Sequence, residues 1–301
     1  GRIRKRPLTD HTFDSSQTQE YKNCPYSYKL KYVDALSRRK EGEVEHDREY
    51  GSALHEALAH LVKGEITEAG IAFIAAYPIQ LDESDKAKTQ ENGILLLKEF
   101  QQFWHDNYSG YEVLEVEQVG MIKLNETISF TVKPDAILRS KSSGEFYAMD
   151  HKTTGNSLAA SFWNKFDPAA WVSAQSAYTE QKFGSCSGVF VNGISFGYRS
   201  RAYKGEPAGF HSNIERQLFN RNPLQIERWK QDALTWIQRV EESKAKGAWG
   251  KNTEHCRWCS YRPICLAEWT PEEDQDLIGE MYEVVDAYAY LKDKEGSQVG
   301  A

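Results

Sequence analysis

Apolar residues recur at helical spacing through the first third of the chain. Leu54, Leu58, Leu61 and Val62 do so within Tyr50–Lys63, and Ile94, Leu97, Phe100, Phe103 and Trp104 within Glu91–His105, which turns one stripe of each helix toward a core. A shorter helix is predicted around Ser16–Lys31. From Tyr111 the pattern changes to short β-rich runs at Glu112–Gln118, Met121–Leu124, Thr127–Val132 and Glu145–Lys152, separated by Gly, Asn and the Lys141–Gly144 turn. Such runs predict a largely antiparallel meander. A helix over Pro168–Phe183, strands near Gly188–Phe196 and Gly209–Gln217, and a long helix from Pro223 to about Lys246 follow. The expected class is α/β, a mixed sheet flanked by helices.

Residues 271–301 are acidic, with helical spacing at Leu277, Met281, Val284 and Val285, and read as a helical tail. Residues 1–15 read as a solvated basic arm. No composition shift marks a linker, so a single domain is expected over 16–270.

With 301 residues and 40% hydrophobic content the chain can fill a core of its own. Its longest apolar stretches, such as Ile71–Ala76, fall far short of a membrane helix, which takes roughly 20 residues. The first residues lack the apolar centre of a secretory signal, so a cytoplasmic address is expected. A formal net charge of −7 argues against broad coating of nucleic acid. Any nucleic-acid path must then be a local basic feature.

The chemistry concentrates at Pro134-Asp135 and, after fourteen intervening residues, at Asp150-His151-Lys152 on the end of a predicted strand. Residues two apart on a strand share a face, so Asp150 and Lys152 project together while His151 faces away. Two carboxylates converging on one point repel each other unless a cation lies between them, which makes a hard divalent ion, Mg²⁺ or Mn²⁺, the natural occupant. Such an ion polarises a phosphoryl oxygen and acidifies its water, and the Lys152 ammonium could offset charge building on the phosphate. Taken alone, Asp150 and Lys152 could equally be a solvated edge ion pair.

Of five cysteines, three crowd into Cys256, Cys259 and Cys265, and Cys24 in Asn-Cys-Pro-Tyr is the obvious fourth. In a reducing compartment this favours a metal centre over disulfides. Four thiolates can hold one [4Fe–4S] cluster. Zinc would accept the same sulfurs but usually draws on two short CxxC knuckles, whereas the grouping here is three plus one. Ligation by residues 24 and 265 would close a loop of almost the whole chain and order both ends. Cys186 has no matching spacing and reads as a free thiol.

These motifs resemble the PD-(D/E)XK nuclease superfamily, with Pro134-Asp135 as the first half of its motif and Asp150-x-Lys152 as the second. The cysteine pattern resembles the iron–sulfur staple of the RecB-like branch, which includes AddB-type helicase–nucleases, CRISPR adaptation nucleases and exonuclease-V-type enzymes. The resemblance implies a restriction-endonuclease-like core and a role for His55, in Gly51-Ser-Ala-Leu-His55, as a metal ligand beside Asp135, Asp150 and the backbone carbonyl of His151. It also implies that Gln175 and Tyr178 act at the site, although the branch usually spaces this pair four apart rather than three. Glu117 is implied as a further site residue; period two puts Glu115 on the same face, and the sequence does not choose between them.

The resemblance implies a Mg²⁺- or Mn²⁺-dependent deoxyribonuclease, an exonuclease on single-stranded DNA or DNA ends, in phage or microbial recombination, repair or CRISPR-like adaptation. Candidate DNA contacts are Lys22, Lys29, Arg199, Arg201 and Arg257, with Tyr261 as a base-stacking aromatic. The competing reading is a non-catalytic subunit that binds DNA beside a helicase, integrase or recombination partner. No GxxxxGK[ST] phosphate loop occurs in the chain, so any motor would be another polypeptide.

Overall fold

A computed structural model describes residues 12–39, 46–77, 85–202, 205, 207–266 and 271–288. In chain order the elements are β1 (Thr12–Phe13), α1 (Ser15–Asn23), α2 (Pro25–Tyr28), a π-helical turn (Lys29–Val33) and β2 (Leu36–Arg38). Next come α3 (His46–Val62), α4 (Ile66–Ala76), α5 (Gln90–Tyr108), β3 (Tyr111–Val116), β4 (Gly120–Lys123), β5 (Ser129–Val132), β6 (Ala136–Ser140) and β7 (Phe146–Thr154). The last are α6 (Ala160–Trp163), α7 (Ala170–Phe183), β8 (Val189–Arg199), β9 (Gly209–Phe219), α8 (Pro223–Lys246), α9 (Arg262–Leu266), α10 (Pro271–Met281) and β10 (Tyr282–Val284).

The chain divides into two compact units, one of residues 44–118 and 133–226, the other of 1–43, 119–132 and 227–301. The first is built on a five-stranded sheet in the order β3-β6-β7-β8-β9. All neighbours are antiparallel except β7 and β8, which run parallel and are joined through α6 and α7, as a parallel pair requires a crossover. The mixed sheet with flanking helices is the expected class.

Local chemistry explains the helices of this unit. Asp47 and Glu49 lie in the first turn of α3, where acidic groups favour the positive end of the helix dipole. Thr89 caps α5 by accepting from the Asn92 amide at 3.1 Å, and α7 stops at Gly184, whose φ of 87° suits a residue without Cβ. Leu54, Leu58 and Leu61 of α3 bury with Phe73 of α4, Leu96, Leu97 and Phe100 of α5, and Ile194 and Phe196 of β8.

In the second unit β1 pairs parallel with β5, which pairs antiparallel with β4. The meander expected from Tyr111 onward is therefore not continuous: the β4–β5 hairpin leaves the main sheet for this small one. Phe130 of β5 packs edge-on to Trp229 of α8, centroids 5.3 Å apart. The arm read at 1–15 is not solvated at its end, since Phe13 is buried and Asp14 caps α1; residues 1–11 lie outside those described. The helix expected at Ser16–Lys31 breaks at Cys24, where Pro25 starts a new turn. The expected tail helix ends at Met281, and Tyr282–Val284 instead pair with β2. Residues 289–301 of that tail are outside the described part.

Candidate active site

Strand β7 places Asp150 and Lys152 on one face and His151 on the other. The buried Asp150 carboxylate is ion-paired with the Lys152 ammonium and accepts a hydrogen bond from Gln175 Nε2 at 3.0 Å. Lys152 Nζ also lies 4.7 Å from the centroid of the Trp171 ring. Farther along α7, the Tyr178 hydroxyl donates to Glu115 Oε2 at 3.1 Å and Lys182 pairs with the other oxygen of that carboxylate. Trp171, Gln175, Tyr178 and Lys182 thus form a single helix stripe at i, i+4, i+7 and i+11. Trp171 and Lys182 are additions to the expected site. Their spacing from Gln175 was the available signal.

A second group lies at the ends of β3 and β6. The carboxylates of Glu117 and Asp135 and a ring nitrogen of His55 all come within 4.8 Å of one another. Asp135 Oδ2 accepts from the His151 backbone amide at 2.6 Å and sits 3.4 Å from His55 Nδ1. Glu117 also pairs with Lys133. In α3, one turn before His55, a Cβ at Gly51 would lie 3.4 Å from Thr153 Oγ1, so this helix runs in contact with β7 where it delivers the histidine. Asp150 stands beside the trio rather than within it, its oxygens engaged by Gln175 and Lys152.

Glu115 and Glu117 do not share a role as period two would have it. The pairing of β3 with β6 slips between Val113 and Glu115, and Glu117 adopts a φ of 56°. A bulge followed by a left-handed residue re-aims a side chain, and Glu117 is the one that reaches His55 and Asp135.

The electrostatics set the two acids apart. Burial alone would raise the Asp135 pKa, but the charge and hydrogen bond of His55, with His151 and Lys152, hold it well below the carboxylate range. At Asp150 burial prevails, with repulsion from Asp135 added and Lys152 and His55 opposing, and the pKa is raised. Burial disfavours a charged His55, yet Asp135 outweighs it and the pKa rises. Lys152 is likewise desolvated but kept protonated by Asp150 and Asp135. His151 is pushed down to about 4 by burial; its ring lies edge-on to Phe100 and its Nδ1 is 3.2 Å from Asn192 Nδ2.

The model of the PD-(D/E)XK nuclease superfamily matches residues 13–266. The chain belongs to this superfamily. Among solved structures, it is similar to a candidate exonuclease from Eubacterium rectale, at 13% identity and a TM-score of 0.50 over 89% of this chain and 92% of that one, a likeness of fold. It also aligns with LHK-Exo in complex with dAMP, at 11% identity and a TM-score of 0.23 over 67% of this chain and 100% of that one. No curated protein sequence matches.

In the other unit of this PD-(D/E)XK chain, Cys24, Cys256, Cys259 and Cys265 line one pocket together with Tyr26, Ser27, Asn252 and His255. The Asn252 amide points at Cys24 Sγ, 3.4 Å away. Cys186 is not among these residues. Tyr261 presents no face to a nucleic acid: it is buried, stacks on Tyr282 and donates to the Leu36 carbonyl at 2.7 Å. Its apolar ring completes the small core around Leu30 and Ile264. Lys29 pairs with Asp34 at 2.5 Å, and Lys22 lies over the Trp236 ring. Arg257 and Arg201 are exposed, and Arg199 is half-buried at the end of β8. Among the described residues no helix is long and apolar enough to cross a membrane.

Proposed function

We propose that this chain hydrolyses DNA phosphodiester bonds with Mg²⁺ or Mn²⁺, as an exonuclease on single-stranded DNA or DNA ends serving recombination, repair or CRISPR-like adaptation. The observation that carries the reading is the convergence of His55, Glu117 and Asp135 beside the Asp150–Lys152 pair. Carboxylates with one imidazole are a donor set that suits these ions, and Asp135 repels Asp150 even with Lys152 and His55 beside them, which favours a cation nearby.

His55, Glu117 and Asp135 would hold the ion, with Asp150 and the His151 carbonyl as further donors. When bound, it would supply Lewis acidity toward a phosphoryl oxygen and a more acidic water. The chain's own groups do the rest. The His151 amide fixes Asp135, Gln175 fixes Asp150, and the Lys152 ammonium offers fixed positive charge to the phosphate as negative charge develops on it. Tyr178 and Lys182 anchor Glu115 at the flank of the site.

We further assign the four-cysteine pocket to a [4Fe–4S] cluster of the RecB-like kind, which would tie the first helices to the segment 256–265. Structural zinc usually draws on two short CxxC knuckles, whereas the four cysteines that line this pocket are grouped three plus one along the chain, which favours the cluster.

End-labelled single- and double-stranded DNA, incubated with and without Mn²⁺ over a salt series, tests the reading. Metal-dependent shortening from an end, lost in D150A while DNA binding persists and weakens with salt, is the expected result. A wild type that binds DNA but never cuts it would point instead to a non-catalytic subunit.

A further inference from the structure

Lys152 is held between two attractions. Its ammonium pairs with Asp150 on one side and lies 4.7 Å over the Trp171 ring on the other. An ammonium held by a carboxylate alone has its charge neutralised by that partner. An aromatic face attracts a cation through its quadrupole and leaves the net charge in place.

Trp171 is well fixed for this purpose. It lies in the first turn of α7 and packs edge-on to Phe166 at 5.7 Å. It also stands one helical turn before Gln175, which grips the Asp150 carboxylate. A single helix face therefore seats both members of the Asp150–Lys152 pair.

We propose that Trp171 is a positioning residue for Lys152, its ring face holding the ammonium so that its charge stays available to the phosphodiester. The inference rests on the nuclease reading of the site. A flexible lysine without this seat would follow Asp150 or swing to solvent, and the loss would fall on the chemical step rather than on DNA binding.

The test compares W171F and W171L under single-turnover conditions with Mn²⁺ and end-labelled single-stranded DNA. Loss of the cation–π contact should lower the cleavage rate of W171L by about five- to thirty-fold, and W171F, which keeps an aromatic face, by about two- to five-fold, with KM for DNA unchanged in both. Because either variant could disturb packing, fluorinated tryptophans placed at position 171 give an isosteric series. The logarithm of the rate should fall in step with the number of fluorines.

A flat fluorine series, equal losses in W171F and W171L, or a rise in KM in place of a fall in rate would overturn the proposal, the last pointing to a base-stacking platform. If the wild type cuts no DNA, the nuclease reading fails and this inference with it. If it cuts while the series stays flat, only the role of Trp171 fails.

Discussion

Glu117 meets Asp135 through the backbone as well as the side chain. Its N–H donates to the Asp135 carbonyl at 3.0 Å, and the two carboxylates share a 4.8 Å cluster with His55. Reaching it takes a φ of 56°, a left-handed conformation that costs a residue with a Cβ about 1–2 kcal/mol. Such strain persists where the surroundings impose it and function uses it. In E117Q cleavage should drop by at least about 10–100-fold, the loss seen even when only a partner of a metal ligand is removed, and the Mn²⁺ concentration for half-maximal rate should rise. E117G should be more stable than E117A by about 1 kcal/mol in urea unfolding, because glycine adopts this φ freely. Equal stabilities would show that the left-handed conformation carries no cost here.

Gln175 is buried on the inner face of α7 with its Nε2 on Asp150. Removing it frees the carboxylate to rotate toward Lys152 without changing the charge of the site. Q175A should therefore lower the cleavage rate by about 10–100-fold with little change in DNA affinity. Q175E, which sets a third acid beside Asp150, should lose more and recover in part at lower pH. A KM effect in place of a rate effect would assign Gln175 to DNA binding.

The parts of the site that follow a simple period are legible in the sequence. Asp150 and Lys152 share a face because a strand repeats every two residues, and α8 runs from Pro223 to Lys246 as its spacing predicts. The misses have physical causes. Helix α4 exposes Ile66, Ile71 and Ile74 and so shows no apolar stripe. Tyr282–Val284 have helical spacing, but an available partner in β2 takes them into a ladder. A bulge at Val113/Glu115 is invisible to periodicity, and with it goes the choice between Glu115 and Glu117. Tyr261 lies in a basic, aromatic loop, a composition that reads the same whether the ring faces DNA or a core.

Gly93 makes a packing prediction. A Cβ on this residue of α5 would fall 2.1 Å from carbons of the Phe73 ring, which is itself wholly buried between α3 and α5. Neither helix backbone can retreat without opening the core. G93A should destabilise by about 1–3 kcal/mol in urea unfolding, and the same change should cost less in an F73L background, where the clash is relieved. Additive effects of the two substitutions would count against this contact.

Asp14 makes a pH prediction outside the active site. It caps α1 by accepting from the Gln17 amide at 2.7 Å while buried. Burial raises its pKa above the ordinary 3.8, more than the hydrogen bonds of Gln17 and Ser16 and the charge of Lys31 lower it. The folded chain therefore holds this proton more tightly than the unfolded one, and the stability this confers is present below 3.8 and is lost as pH rises through the raised folded value. Asparagine caps about as well and carries no charge. Relative to D14N, the wild type should thus gain stability as pH falls from 7 toward 4, measured by urea unfolding at each pH. D14A, lacking the cap, should be about 1 kcal/mol less stable than D14N throughout. A wild-type advantage that grows with pH instead would mean that Lys31 dominates.

The five cysteines divide four to one, and substitution should divide them the same way. Cys24, Cys256, Cys259 and Cys265 face one pocket, with the first and last separated by most of the chain. Cys186 stands apart, its thiol pushed up in pKa by burial and 3.5 Å from the Gly188 carbonyl. If the pocket holds an iron–sulfur cluster, replacing any one of the four with serine should abolish the brown absorbance and the iron and acid-labile sulfide content of anaerobically purified protein. Each loss should also lower thermal stability and expose the segment 251–266 to protease, because binding free energy at such a site is folding free energy. C186S should keep both the colour and the protease resistance. Colourless wild-type protein carrying one zinc per chain would keep the role of the four thiols but refute the cluster, and a chain with neither metal would refute both.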